Sequence, residues 1–200
     1  VSDEAFRHRV RAALAAPVGA PLAERFPAPL VTALIAGAEP GDLGRLTVAL
    51  EEVSAALHAV GLPRGRLFVL LGSLRPGPAR QTAASLRERL ALPVMVHDGL
   101  GAHFTVGLIR GGVPIQLNDE LREAEALVLV GPARGGADGL EGGQGLLCPG
   151  VVSAATRAAW EQDREEGGPE AAIAFTFEAV VEFPASLSVC WTANGEVGVA

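Results

Sequence analysis

The sequence predicts an α/β fold: a mainly parallel sheet with helices on both faces, together with one β-hairpin and a β-rich C-terminal tail. Two observations carry this. Short apolar runs at residues 30–36 (LVTALIA), 66–71 (RLFVLL), 92–98 (LPVMVHD) and 126–130 (ALVLV) have the length and content of buried strands. Between the first three lie helix-patterned segments with short connections, a β-α-β-α-β series that requires parallel pairing. A third observation points to function. The run at 126–130 ends at Gly131, which opens a loop with seven further glycines up to Gly150. A glycine-rich loop leaving the carboxyl end of a strand is where an open α/β sheet holds an anion or cofactor; a surface loop with no ligand is the alternative reading.

Each element has its own signature. Residues 3–16 place Phe6, Val10, Ala13 and Leu14 on one stripe of an arginine-rich helix that packs on the domain edge. After the proline-punctuated stretch to residue 29 comes the first strand, then the turn GAEPGD with Asp42 as helix cap. Leu46, Leu50, Val53, Leu57 and Val60 repeat at helical spacing until Gly61 and Pro63 stop them. A second helix covers residues 80–90. His97 and Asp98 close the third strand and therefore stand at its carboxyl end. The runs 103–110 and 113–117 flank Gly111 and Gly112, a hairpin signal. Asn118 caps a short helix over 118–126, and residues 151–166 form a helix with Val151, Ala155, Ala158 and Ala159 inward and Trp160 near its middle, ended by Gly-Gly-Pro. The tail, residues 171–183, 186–192 and 196–200, reads as strands, with Asn194-Gly195 as a type I′ turn. The chain is read as one domain over 1–200, with 1–29 a helical lead-in and 171–200 the β-rich tail.

Composition narrows the function. A net charge of -7 and a pI near 5.1, with no basic stripe, argue against nucleic acid and anionic membrane as partners. A charged, helix-patterned start and no apolar run of membrane-spanning length lead to the expectation of a soluble, cytoplasmic protein. Cys148 and Cys190 are too few for a disulfide framework. All 16 basic residues are arginine, so no lysine Schiff base, P-loop lysine or lysine tether can exist. Of the four histidines only His97 and His103 lie close together, beside Asp98, and no metal site is assigned to them. No G-x-S-x-G elbow is present, and the glycines of 135–145 lead to Cys-Pro-Gly instead of directly into a helix, which argues against a dinucleotide loop. Arg75, in the turn after the second strand, has the fork that suits a carboxylate or phosphate, although a solvated arginine reads equally well.

The order of these short motifs resembles the N-terminal domain of nickel-dependent lactate racemases. The resemblance rests on G-x-x-R-P at 72–76, His97-Asp98, the G-V-P-I-x-L-N segment at 112–118, the E-A-x-x-L-V-L-V-G segment at 123–131, Gly142-Gly143 and Pro149-Gly150. It implies an α/β domain and isomerisation at the α-carbon of a 2-hydroxy acid, by hydride transfer to a nickel-pincer cofactor with two histidines as acid and base. On this match His97 stands in a catalytic position. The departures fall on essential parts. Pro132-Ala133-Arg134 replaces a Pro-His pair, Gln144-Gly145 stands where the tethering lysine would be, and no histidine follows His103 to ligate nickel. Ala38-Glu39-Pro40 replaces an early Arg-Pro turn and Leu74 a histidine.

The resulting expectation is a lactate-racemase-like protein that binds a small anion, a hydroxy acid or nucleotide, without nickel-pincer catalysis and with no cofactor. His97 is its candidate catalytic residue; Arg75, Asp98, Arg134, Gly142 and Gly143 are its candidate ligand contacts; no residue is assigned to metal. The expected partner is a small carboxylate, with a homo-oligomer or a partner subunit also open. An isomerase with a changed catalytic set, or one completed by a partner chain, and a non-catalytic structural or regulatory subunit are the alternatives.

Overall fold

A computed structural model describes residues 2–37, 43–72, 76–109, 112–133, 143–183 and 185–200. Along the chain, α1 (Asp3–Ala15) and the single turn α2 (Leu22–Arg25) precede β1 (Thr32–Gly37), α3 (Leu43–Ala59), β2 (Leu67–Gly72), α4 (Pro76–Leu90) and β3 (Val94–Val96). Then follow β4 (His103–Ile109), β5 (Val113–Asn118), β6 (Ala126–Pro132), α5 (Ala154–Glu182), β7 (Leu187–Trp191) and β8 (Val197–Val199). Six strands form one sheet in the order β3-β2-β1-β6-β7-β8, parallel except for β8, while β4 and β5 form a separate antiparallel ribbon.

The period of two along each strand divides the core between two faces. Leu34, Ala36, Val69, Leu71, Val128 and Val130 meet α1, α3 and α4 on the first face. Ala33, Ile35, Leu70, Leu127 and Leu129 meet the β4–β5 ribbon and α5 on the second. Helices thus cover both faces, as the sequence predicts.

On the first face, Ser2 caps α1 and the helix buries Phe6, Val10 and Leu14, with the Phe6 ring edge-on to Trp191 at 5.6 Å. Arg7 and Arg11 of α1 both donate to Glu52 of α3, whose side chain is only 7% exposed. Burial pushes the Glu52 carboxyl up, but the hydrogen bonds and charges of Arg11 and Arg7 together outweigh it and hold the group below the usual carboxylate range. The depressed value means that this contribution is present above pH 4.5 and lost as pH falls below it. Glu52→Ala is expected to destabilise the protein by about 1 kcal/mol at pH 7, read by urea unfolding, because it removes the carboxylate that Arg7 and Arg11 share, while Arg7 keeps Glu51 and Arg11 stays open to water. In the first turn of α3, a methyl group at Gly44 would meet nothing within 4 Å. Gly44→Ala is therefore expected to stabilise by about 0.5–1 kcal/mol in the same assay, through helix propensity and a less flexible unfolded chain.

Several expectations need correction. Residues 171–182, read as strand, are the second half of α5. Gly168, at φ 73 and ψ -167, breaks the helix where Gly-Gly-Pro was expected to end it, but Pro169 then sits in a new first turn and the helix restarts. Ala172, Phe175, Thr176, Ala179 and Val180 are buried at three- and four-residue spacing, a helical stripe that the β-branched and aromatic content of this segment disguised. The β-rich tail therefore shrinks to β7 and β8, which join the main sheet. The helix expected over 118–126 is only a 3-10 turn, Asp119–Leu121, although Asn118 caps it as expected. Glu125 is drawn away into pairing with Val31: its N–H donates to the Val31 carbonyl and its carboxylate accepts the Val31 N–H. The Asn194-Gly195 hairpin forms, but not with a type I′ turn, which needs positive φ at both residues; only Gly195 has it, at 76. The connection instead spans 192–196, with Gly195 N–H donating to the Thr192 carbonyl at 2.8 Å. α4 starts at Pro76 instead of residue 80. Asp42, expected as a cap, lies outside the described residues. Among the described residues, no helix is long and apolar enough to cross a membrane.

Candidate functional site

In an open α/β sheet, ligands bind outside the carboxyl ends of the strands where the strand order reverses. Here the chain winds outward from β1 through β2 to β3, then resumes at β6 on the other side of β1. The reversal lies between β1 and β6. Gly37 and Gly72 end β1 and β2, and Gly131 is the last residue but one of β6; Gly37 pairs with Gly72, and Gly131 follows Val130, the partner of Ala36. The pleat turns all three toward the second face, in line with Ile35, Leu70 and Leu129.

The segment 143–152 crosses this row strand by strand. A methyl group at Gly143 would lie 3.7 Å from Cys190 Sγ on β7, one at Gly131 would lie 2.9 Å from the Leu146 side chain, and one at Gly37 would lie 3.0 Å from the same leucine. At Gly72 it would lie 3.0 Å from the Gly150 carbonyl oxygen. At the far end the Val152 carbonyl is reached by His97, just beyond β3. Leu146 thus fills the second-face side of the β1/β6 reversal. Cys148, in the same segment, is buried, and burial pushes its thiol up to about 12, so it stays a thiol.

His97 is 3% exposed and both of its ring nitrogens are engaged. Nε2 lies 2.9 Å from the Val152 carbonyl, and because a carbonyl only accepts, Nε2 must carry the hydrogen. Nδ1, 3.1 Å from Asn118 Nδ2, is then the acceptor. Asn118 is oriented for this, since its Oδ1 accepts the Glu120 N–H at 3.0 Å. Burial pulls the His97 pKa down to about 4; the Val152 bond opposes this, while the charges of Arg157 and His103 add to it. At neutral pH the ring is uncharged with neither nitrogen free. Asp98 is exposed, and its Oδ1 accepts the Leu100 N–H at 3.0 Å, which shapes the turn after β3.

Two groups beside His97 were not nominated as ligand contacts. The half-buried His103 ring meets the His97 ring edge-on at 5.7 Å, and its buried Nε2 has no hydrogen-bond partner among the described residues. Arg157, in the second turn of α5, donates through Nη2 to the Pro149 carbonyl at 2.9 Å, while its buried Nε has no acceptor among the described residues. Burial draws the Arg157 pKa below its usual value. The helix that carries it is pinned at its start. Ser153 caps Thr156, and Thr156 Oγ1 donates to Pro114 and accepts from Gln116 of β5. Periodicity could not reveal Arg157, because it sits among the alanines of a helix whose outward side is expected to carry arginine.

The structure brings His97, Asp98 and His103 together. Gly143 does not join them: it lies against β7, four strand spacings or about 19 Å from β3. Arg75, Arg134 and Gly142 lie outside the described residues. Among the described residues, no three His, Cys, Asp or Glu side chains gather in a way that could hold a metal ion.

No protein-family model and no curated protein matches the sequence. Among solved structures the chain is similar to the lactate racemase apoprotein from Thermoanaerobacterium thermosaccharolyticum, with a TM-score of 0.71 and 16% sequence identity. The match covers 97% of this chain and 51% of that one, so the chain spans about half the length of that enzyme. The fold is therefore lactate-racemase-like.

Proposed function

We propose that this chain is a small-carboxylate-binding protein of lactate-racemase-like fold that does not racemise its ligand. The observation that carries the second half is His97. A general acid or base needs a titratable nitrogen within reach of the reacting proton, with a pKa near the working pH. His97 has both nitrogens bonded inside the protein and a pKa near 4. Its role here is to tie the end of β3 to β5 and to the segment before α5.

A nickel-pincer cofactor does not fit the residues present. The sequence has no lysine to tether it and no histidine beyond His103. The buried nitrogens of His97 already serve a carbonyl and an amide. The binding half of the reading draws on the fold, whose carboxyl edge is the ligand edge, and on Arg157, a half-buried cation that makes no ion pair among the described residues. Arg75 and Arg134, which follow β2 and β6 in the sequence, belong to the same proposal as further cationic contacts.

The test has two arms. Thermal denaturation with glycolate, lactate and larger hydroxy acids is expected to show stabilisation, about 2.7 kcal/mol at a hundredfold excess over the dissociation constant. Chiral analysis of L-lactate after long incubation is expected to show no D-lactate. Absence of any stabilisation rejects the binding half, and formation of D-lactate above background rejects the non-catalytic half.

A further inference from the structure

The usual ligand position of the fold and the polar groups without partners do not coincide in this chain. At the β1/β6 reversal Leu146 covers Gly37 and Gly131 on the second face. Among the described residues three buried side-chain nitrogens lack a partner: Trp191 Nε1, in the core of the first face, and His103 Nε2 and Arg157 Nε. The last two both act on the His97 imidazole, His103 by ring contact and Arg157 by its charge. His103 lies edge-on to His97, and Arg157 holds the Pro149 carbonyl, three residues before the carbonyl that takes the His97 N–H. An unpaired buried donor is costly, and a guanidinium withdrawn from water without a carboxylate more so. Glu161, one turn along α5, acts on Arg157 only at a distance and forms no ion pair with it.

We propose that Arg157 and His103 form a site for a small monocarboxylate beyond the carboxyl end of β3, beside the fixed His97 ring. This rests on the binding reading above and names the residues that hold the ligand. Arg157 Nε–H donates to a carboxylate oxygen, and His103 Nε2 supplies the second hydrogen bond. Among the described residues beside His97, the guanidinium of Arg157 supplies positive charge, and Asp98 stands close enough to act on the same ring. The site therefore balances a monoanion and leaves a phosphate dianion under-compensated. Asn118 and Val152 hold His97 rigidly, so the site is organised before the ligand arrives.

The experiment is calorimetric titration of the full chain with glycolate and with inorganic phosphate, using wild type, Arg157→Leu and His103→Gln. Glycolate is expected to bind the wild type more tightly than phosphate does, at least tenfold more weakly to Arg157→Leu, and several-fold more weakly to His103→Gln. Equal glycolate binding by wild type and both variants overturns this location while leaving the binding reading intact. No glycolate binding by the wild type, with lactate and larger hydroxy acids also failing to stabilise it, overturns both. Preference for phosphate overturns the monoanion assignment. If Arg157→Leu fails to fold, the His103 ring resonances of the wild type decide: they are expected to shift on adding glycolate, and a ring that does not respond means that water alone meets these nitrogens, which overturns the site.

Discussion

Gly150→Ala is expected to lose at least about 4 kcal/mol of stability, enough to unfold many domains. A methyl group at this position would lie 2.1 Å from the Leu146 carbonyl oxygen, 2.6 Å from its carbon and 2.9 Å from its Cα. All three atoms are backbone, so no side chain can turn aside. The backbone cannot easily yield either. Gly150 N–H donates to the Gly145 carbonyl, its own carbonyl oxygen lies over Gly72, and Leu146 is wedged above Gly37 and Gly131. Relief at residue 150 would have to displace the strip that crosses the sheet. Gly65→Ala and Gly198→Ala are the controls, since a methyl group at either would meet nothing within 4 Å. Urea unfolding of the three variants is the measurement. A Gly150→Ala protein within about 1 kcal/mol of wild type would mean that segment 143–152 does not pack as described, and the assignment of Gly37, Gly72 and Gly131 would fall with it.

That row of glycines shows what the sequence could and could not disclose. The parallel series β1, β2 and β3, the ribbon, the last hairpin and the lead helix were legible because each carries its own local signal: a run length, a period or a turn pair. The purpose of Gly37, Gly72 and Gly131 was not. Each stands at or next to the end of a strand, and each could be read as opening a loop toward a ligand. In the fold they make room for the chain itself, because a segment more than ten residues beyond Gly131 returns across three strands. Nothing local encodes that return. The second half of α5 was missed for a related reason: Phe175, Thr176 and Val180 suit a strand by residue type, and only their burial against the second face identifies a helix. The candidate site divides in the same way. His97 was found because it closes a strand, but its two hydrogen bonds come from Asn118 and Val152, 21 and 55 residues away. His103 drew notice only as a metal partner, and Arg157 drew none, because an orphaned nitrogen is a property of packing.

The same two bonds to His97 make stability depend on pH in a defined direction. The ring titrates at 6.5 when unperturbed and at about 4 in the folded protein. Between those values the unfolded chain binds the proton and the folded chain does not, so acid favours unfolding. The stabilisation that depends on neutral His97 is complete above pH 6.5, declines as pH falls through the interval, and is gone near pH 4. At about 1.4 kcal/mol per pH unit the whole interval corresponds to about 3 kcal/mol. Exposure of only 3% leaves little solvent to screen the effect. The physical content is that the protonated ring would have to surrender its Nδ1 acceptor to Asn118 and place a charge near Arg157. Carboxylates such as Glu52 also titrate toward the acid end, so the contrast must be drawn with a variant. His97→Gln can keep a donor and an acceptor but cannot take up a proton in this range. Its stability is expected to be lower than wild type at pH 7 and to fall much less between pH 6.5 and 4, so that the two curves converge in acid. Parallel curves would mean that His97 is not held neutral by its surroundings, and a ring that titrates normally would again be a candidate acid or base.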